Sequence, residues 1–139
     1  MFKKILLATD GSDHALRAAI KASDIAKLTS DAKITVVYVI DGTQSKSDVL
    51  STEDKEALYE KRQRKLRPTE EMLQEVGVSY EVKVLKGEPG PEIVHFANQE
   101  QYDLVVIGSR GLNALQEMVL GSVSHKVAKR VECPVMIVK

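Results

Sequence analysis

Short apolar runs and longer stretches with helical spacing alternate along the chain. Ile5-Leu6-Leu7-Ala8 is apolar at every position, the mark of a strand buried on both faces. Thr9 to Asp13 is the turn leaving it, with Ser12 suited to cap a helix and Asp13 favourable in its first turn. Ala15, Ala18, Ala19, Ala22, Ile25 and Ala26 then share one helical face, and so many alanines predict a helix lying close against a sheet. Ile34 to Ile40 is a second, β-branched strand, Asp41 to Thr52 a polar surface loop, and Glu53 to Val76 helical in character, ended by Gly77. Pro68 lies inside that helical stretch. It removes one hydrogen bond and crowds the preceding turn at a cost of about 3 kcal/mol, so a kink near Arg64 to Arg67, or two helices, is expected. Val78 to Leu85 alternates as a third strand, and Gly87 to Pro91 is a turn with Pro91 at the first position of a helix. Ile93, Val94, Phe96 and Ala97 form the buried face of that helix. Leu104 to Ile107 is a fourth strand, Ser122 to Val131 a last helix, and Pro134 to Val138 the final strand.

Strands alternating with helices predict an α/β fold, a doubly wound five-stranded parallel sheet with helices on both faces. The natural strand order is 3-2-1-4-5. Strands 1 and 4 then lie side by side where the winding reverses, and ligands in such sheets bind at the carboxyl ends of the strands flanking that point. That directs attention to the residues after Ala8 and after Ile107.

Composition narrows the class. The chain has 139 residues, 43% hydrophobic and 29% charged, which fits one soluble domain spanning 1–139. Twenty basic residues balance twenty acidic ones, which argues against a dedicated nucleic-acid or membrane-surface binder. Cys133 is the only cysteine, so an internal disulfide is excluded and a reducing compartment is the simple reading. The amino-terminal run is basic and then apolar, but its apolar part stops at Thr9, too early for a secretory core. No stretch approaches the ~18 apolar residues of a membrane span. A cytoplasmic location is expected.

Both marked places hold unusual residues. After the fourth strand the chain reads Gly108-Ser109-Arg110-Gly111, then nine residues from Leu112 to Leu120, then Gly121-Ser122-Val123-Ser124. Gly108 and Gly111 allow a sharp turn and a close approach to a ligand. Gly121 to Ser124 open the last helix, so their N–H groups and the helix dipole suit an anion such as a phosphate chain, with the Ser122 and Ser124 hydroxyls adding donors.

The spacing Gly-x2-Gly-x9-Gly-Ser in this setting resembles the ATP-binding pattern of the universal stress protein family. The opening Lys4 to Ser12, Gly87, the run Tyr102 to Gly108, and the close through Cys133 to Val138 are similar as well. The resemblance covers nearly the whole chain and is weakest over Asp41 to Arg67. It implies a stress-response regulator that binds ATP, with Asp10 on the nucleoside and the Val39 backbone at the adenine edge. Ala8 and Ile107 would line the base, Gly108 and Gly111 the ribose and phosphates, and Gly121, Ser122, Val123 and Ser124 the phosphate tail. Any Mg²⁺ would be held by the phosphates themselves. A regulatory protein partner is implied without being named.

A slow ATPase or phosphotransferase on the same site is the competing reading. The P-loop lysine is missing, and no paired carboxylates or histidine cluster announce a general base or metal cage. A dinucleotide enzyme would need its glycine fingerprint after the first strand, where Asp10-Gly11-Ser12-Asp13 stands. A phospho-receiver would need an aspartate where Leu85-Lys86-Gly87 stands. His14 and His95 show no metal spacing, His125 one turn into the last helix reads as a surface or satisfied histidine more readily than as a phosphate neighbour, and the basic run Lys61 to Arg67, flanked by acids and without aromatics, reads as a solvated helix face. The last strand carries no charge before Lys139 although it forms a sheet edge, which predicts protection of that edge. The family resemblance implies that a homodimer pairing this strand with its own copy supplies it.

Overall fold

The computed structural model describes residues 2–41, 52–110 and 121–139. Among these residues the order is β1 (Lys4–Thr9), α1 (Asp13–Ala26), β2 (Lys33–Asp41), α2 (Thr52–Val76), β3 (Ser79–Gly87), α3 (Pro89–Gln99), β4 (Leu104–Gly108), α4 (Ser122–Arg130) and β5 (Val135–Val138). The five strands form one sheet in the order β3-β2-β1-β4-β5, every pair parallel. The expected architecture is therefore the observed one. The expected loop after Asp41 falls mostly outside the described residues.

Strand periodicity divides the core into two layers. Ile5 and Leu7 of β1, Ile34 and Val36 of β2, and Leu104 and Val106 of β4 face α1 and α2. Leu6 and Ala8, Val37, and Val105 and Ile107 face α3 and α4, where Ile93, Ala97, Val127 and Val131 meet them. In α1 the alanines at 15, 18, 19, 22 and 26 are all buried, so the helix backbone comes close to the sheet. Asp103 then ties the two central strands at their start, its Oδ2 accepting the Lys3 and Lys4 N–H groups at 3.0 and 2.9 Å.

The caps follow the local chemistry. Ser12 has extended backbone and its Oγ accepts the Ala15 N–H at 3.2 Å, as expected of an N-cap. Gly77 ends α2 with φ of 78°, and the Gly77 and Val78 N–H groups both return to the Leu73 carbonyl. One start differs from expectation. Helix α3 begins at Pro89, capped by Glu88, so Pro89 and not Pro91 takes the first helical position.

Helix α2 runs unbroken through Pro68, so of the two expected outcomes the split into two helices does not occur. Pro68 is exposed, so the Arg64 carbonyl that loses its donor lies on the water side. Leu66 and Leu73, 2% and 0% exposed, hold the helix to the sheet on either side of it. Full burial contributes about 1.5–3 kcal/mol for each leucine, enough to offset the proline. Pro68→Ala is expected to stabilise the protein by roughly 1–2 kcal/mol, the restored helix bond outweighing the freer unfolded chain. The midpoint of urea unfolding measures this, and an unchanged or lowered midpoint would show that the helix carries no strain there.

Candidate functional site

The carboxyl end of β1 is built as a tight turn. Ala8 sits opposite Val37 on β2 and Ile107 on β4, buried between them. Asp10 follows, half-buried, and its Oδ1 accepts the Ser12 N–H at 2.9 Å. The Gly11 N–H donates to Thr9 Oγ1 at 3.2 Å. Gly11 has φ of 82°, and a β-carbon there would lie 2.9 Å from the Lys65 β-carbon, so α2 closes over this turn. Val39 lies on β2 opposite Leu85, half-buried and packed with the cluster that contains Ala8 and Ile107.

The end of β4 is a junction. The Ser109 N–H donates to the Val138 carbonyl of β5 at 2.8 Å, and the Ser109 carbonyl accepts the Gly121 N–H at 2.8 Å. Buried Ser124 donates its hydroxyl to the Gly108 carbonyl. Two expectations are refined by these bonds. The Gly121 N–H and the Ser124 hydroxyl are committed to protein acceptors, because together they hold the start of α4 against the end of β4. The backbone N–H groups of Ser122, Val123 and Ser124 have no acceptor within the helix. The first intrahelical bond runs from the His125 N–H to the Gly121 carbonyl at 2.9 Å, and no side chain caps the helix among the described residues.

Gly108 is glycine for a reason the sequence reading missed. A β-carbon there would stand 2.9 Å from the His14 carbonyl carbon and 3.0 Å from its oxygen, so the close approach is that of α1. His14 itself reaches the same junction, its Nδ1 3.4 Å from Ser109 Oγ. Burial, then Arg17 and Arg110, lower the imidazole pKa, against Asp10 and Asp13, which raise it. Neither His14 nor Ser109 was singled out as a site residue. The only signals were the helix position of His14 and the adjacency of Ser109 to Gly108. Gly111, together with Leu112 to Leu120, lies outside the described residues.

The remaining candidates fall elsewhere. His125 is exposed on α4. Cys133 is half-buried, and burial pushes its thiol pKa up, as befits a packing residue. No group of three metal-binding side chains occurs among the described residues, and none of their helices is long and apolar enough to cross a membrane. Two hollows lie away from the strand ends considered above. One of about 490 Å³ lies between α3 and α4 beside His95 and Arg130. The other, about 410 Å³, lies at the amino ends of β1 and β2, where Lys33 pairs with Glu81 at 3.3 Å. Both are open and polar-rimmed, without the convergent donors found at the end of β4.

The packing at Gly108 yields a measurable expectation. Gly108→Ala should destabilise the protein by about 1–3 kcal/mol, since the carbon it meets is helix backbone and cannot swing aside. Ser124→Ala should cost about 1 kcal/mol for the lost buried hydrogen bond. Urea midpoints unshifted in both variants would mean that α1 and α4 are not locked to β4 as described.

Comparison with known proteins agrees with the fold. Residues 1–139 match the model of the universal stress protein family. Universal stress protein MJ0531 of Methanocaldococcus jannaschii is 38% identical over 146 residues, covering 100% of this chain and 83% of that protein. YxiE of Bacillus subtilis is 35% identical over 149 residues, with 100% of each chain covered. Among solved structures, protein MJ0577 of M. jannaschii superposes with a TM-score of 0.86 at 34% identity, covering 100% of this chain and 96% of that one. A universal stress protein in complex with cAMP gives 0.72 at 28% identity, with coverage of 99% and 97%. An Arabidopsis thaliana family member with AMP bound gives 0.69 at 26%, with coverage of 99% and 91%. The chain belongs to the universal stress protein family.

Proposed function

We propose that this protein is a single-domain, cytoplasmic regulator that binds ATP at the carboxyl ends of β1 and β4 and signals by occupancy. The observation that carries the reading is the start of α4. Three successive backbone N–H groups, of Ser122, Val123 and Ser124, have no acceptor within the helix and stand beside the switch point of the sheet. The two related structures solved with AMP and with cAMP support an adenine nucleotide. The glycine spacing from Gly108 through Gly111 to Gly121 supports a ligand with a longer phosphate chain.

In this reading Ala8 and Ile107 line the base and the Val39 backbone meets the adenine edge. Asp10 holds the nucleoside, Gly108 and Gly111 accommodate ribose and phosphates, and Gly121 through Ser124 receive the phosphate tail. Mg²⁺ is carried by the phosphates. With no P-loop lysine, turnover is slow and a partner protein reads the bound state. Mass spectrometry of ligand released from gently purified, denatured protein is expected to find an adenine nucleotide in near-stoichiometric amount. Failure to bind ATP, AMP and cyclic AMP at millimolar concentration would overturn the assignment.

Asp10 separates base from phosphate recognition, since its charge would repel phosphates. Asp10→Ala should weaken adenosine and ATP equally, by about 1–3 kcal/mol. A loss confined to ATP in titration calorimetry would place Asp10 against the phosphates instead.

We also propose a homodimer through β5. This strand pairs with β4 on one side only, and Met136 on it is 37% exposed. An apolar edge with unpaired backbone groups favours a second copy across a two-fold axis. Ile137→Pro removes one backbone donor and should shift the sedimenting species to monomer while ATP binding survives. A monomeric unmodified protein at micromolar concentration would refute the dimer.

A further inference from the structure

His14 stands at the end of β4 without a role in the reading above. Its backbone packs on Gly108, and its Nδ1 lies 3.4 Å from Ser109 Oγ. The Ser109 carbonyl accepts the N–H of Gly121, the residue that caps α4, so the imidazole and the anion-facing turn of α4 are joined through one residue. The charged groups acting on the ring are Asp10 from the β1–α1 turn, Asp13 and Arg17 on α1, and Arg110 just beyond β4. Arg17 Nε donates to the Lys139 carbonyl past β5 at 3.0 Å. From α2, Lys65 packs on Gly11 and lies 3.4 Å from the Tyr38 hydroxyl. At the start of α4, Ser122 to Ser124 carry no charge, and the titratable group that follows them is His125, which is exposed.

Burial and the two arginines hold the ring neutral at physiological pH, with Nδ1 suited to accept from the Ser109 hydroxyl. A neutral ring costs little to keep half-buried in an empty site. An arriving polyanion reverses the balance, because negative charge nearby favours the protonated form. We propose that His14 is a phosphate contact of the nucleotide site that takes up a proton as the phosphates bind. The inference rests on the ATP reading and deepens it. It makes the grip on the phosphates, and not on the base, sensitive to pH. A ring that merely props Ser109 would affect stability but would give binding no such dependence.

Calorimetric titration of the full chain and its His14→Gln variant with ATP and with adenosine, from about pH 8 to about pH 5.5, tests it. The affinity ratio of unmodified protein to variant for ATP is expected to grow roughly three- to tenfold as the pH falls, within the tenfold that corresponds to one pKa unit. Titration of the phosphates themselves is common to both proteins and cancels in that ratio. Adenosine should show no growth. Parallel ATP profiles in two ATP-binding proteins overturn the role of His14 and leave the nucleotide reading intact. Absence of ATP binding by either protein at every pH overturns both. NMR titration of the imidazole in the unmodified protein needs no substitution: its midpoint should rise when ATP is added, and an unmoved midpoint with ATP bound rejects the proposal.

Discussion

Strands β1 and β4 have no solvent face. Ile5, Leu6 and Leu7 on one strand, and Val105 and Val106 on the other, are all 0% exposed. A parallel pair buried on both sides demands a helix layer above and another below. Right-handed crossovers meet that demand only if the chain winds outward from β1 to one edge, returns, and winds outward from β4 to the other. The carboxyl ends of β1 and β4 mark the point of that reversal. Everything polar in the candidate site hangs from it: the Asp10 to Ser12 turn on one strand, Ser109 and the start of α4 on the other.

The junction at the end of β4 shows how a site is made rigid with few atoms. Gly108 admits the α1 backbone, Ser109 binds β5 and the cap of α4, and Ser124 returns to Gly108. Each bond satisfies a group that would otherwise cost about 1–3 kcal/mol if left buried and unpaired. The accounting also decides which donors are left for a ligand. The Ser124 hydroxyl and the Gly121 N–H are used internally. The helix-opening N–H groups are the ones with no acceptor within α4, so on the proposed reading they are the backbone donors available to an anion.

Much of this was legible in the residues. The apolar run of Ile5 to Ala8, the alanine face of α1, and the alternation of strands with helices determine fold class and strand order, and the structure bears all three out. Local chemistry placed the Ser12 cap and the Gly77 stop. Pro68 does not split its helix, because propensity counts one helix turn whereas Leu66 and Leu73 anchor both sides of it by tertiary burial. Gly108 could be marked as important, but the reason was long-range: the atom excluding a β-carbon belongs to His14, 94 positions earlier in the chain. Asp103 pinning the start of β1 is invisible for the same reason. Pairings across such separations carry no periodic signal along the chain.

The chemistry of the junction also limits what a bound nucleotide would experience. A helix terminus contributes roughly 0.3–1 kcal/mol toward an anion when exposed and about 2 when partly buried. A charged donor such as a P-loop lysine adds hydrogen bonds of about 1.5–3 kcal/mol and stabilises the charge that develops as a phosphoryl group leaves. On the proposed reading the backbone N–H groups at the start of α4 favour an anion whether or not the terminal phosphate is departing, and binding that is uniform along the reaction does not accelerate it. On the proposed reading, holding a nucleotide and being slow to consume it are one consequence of grasping phosphates by the backbone.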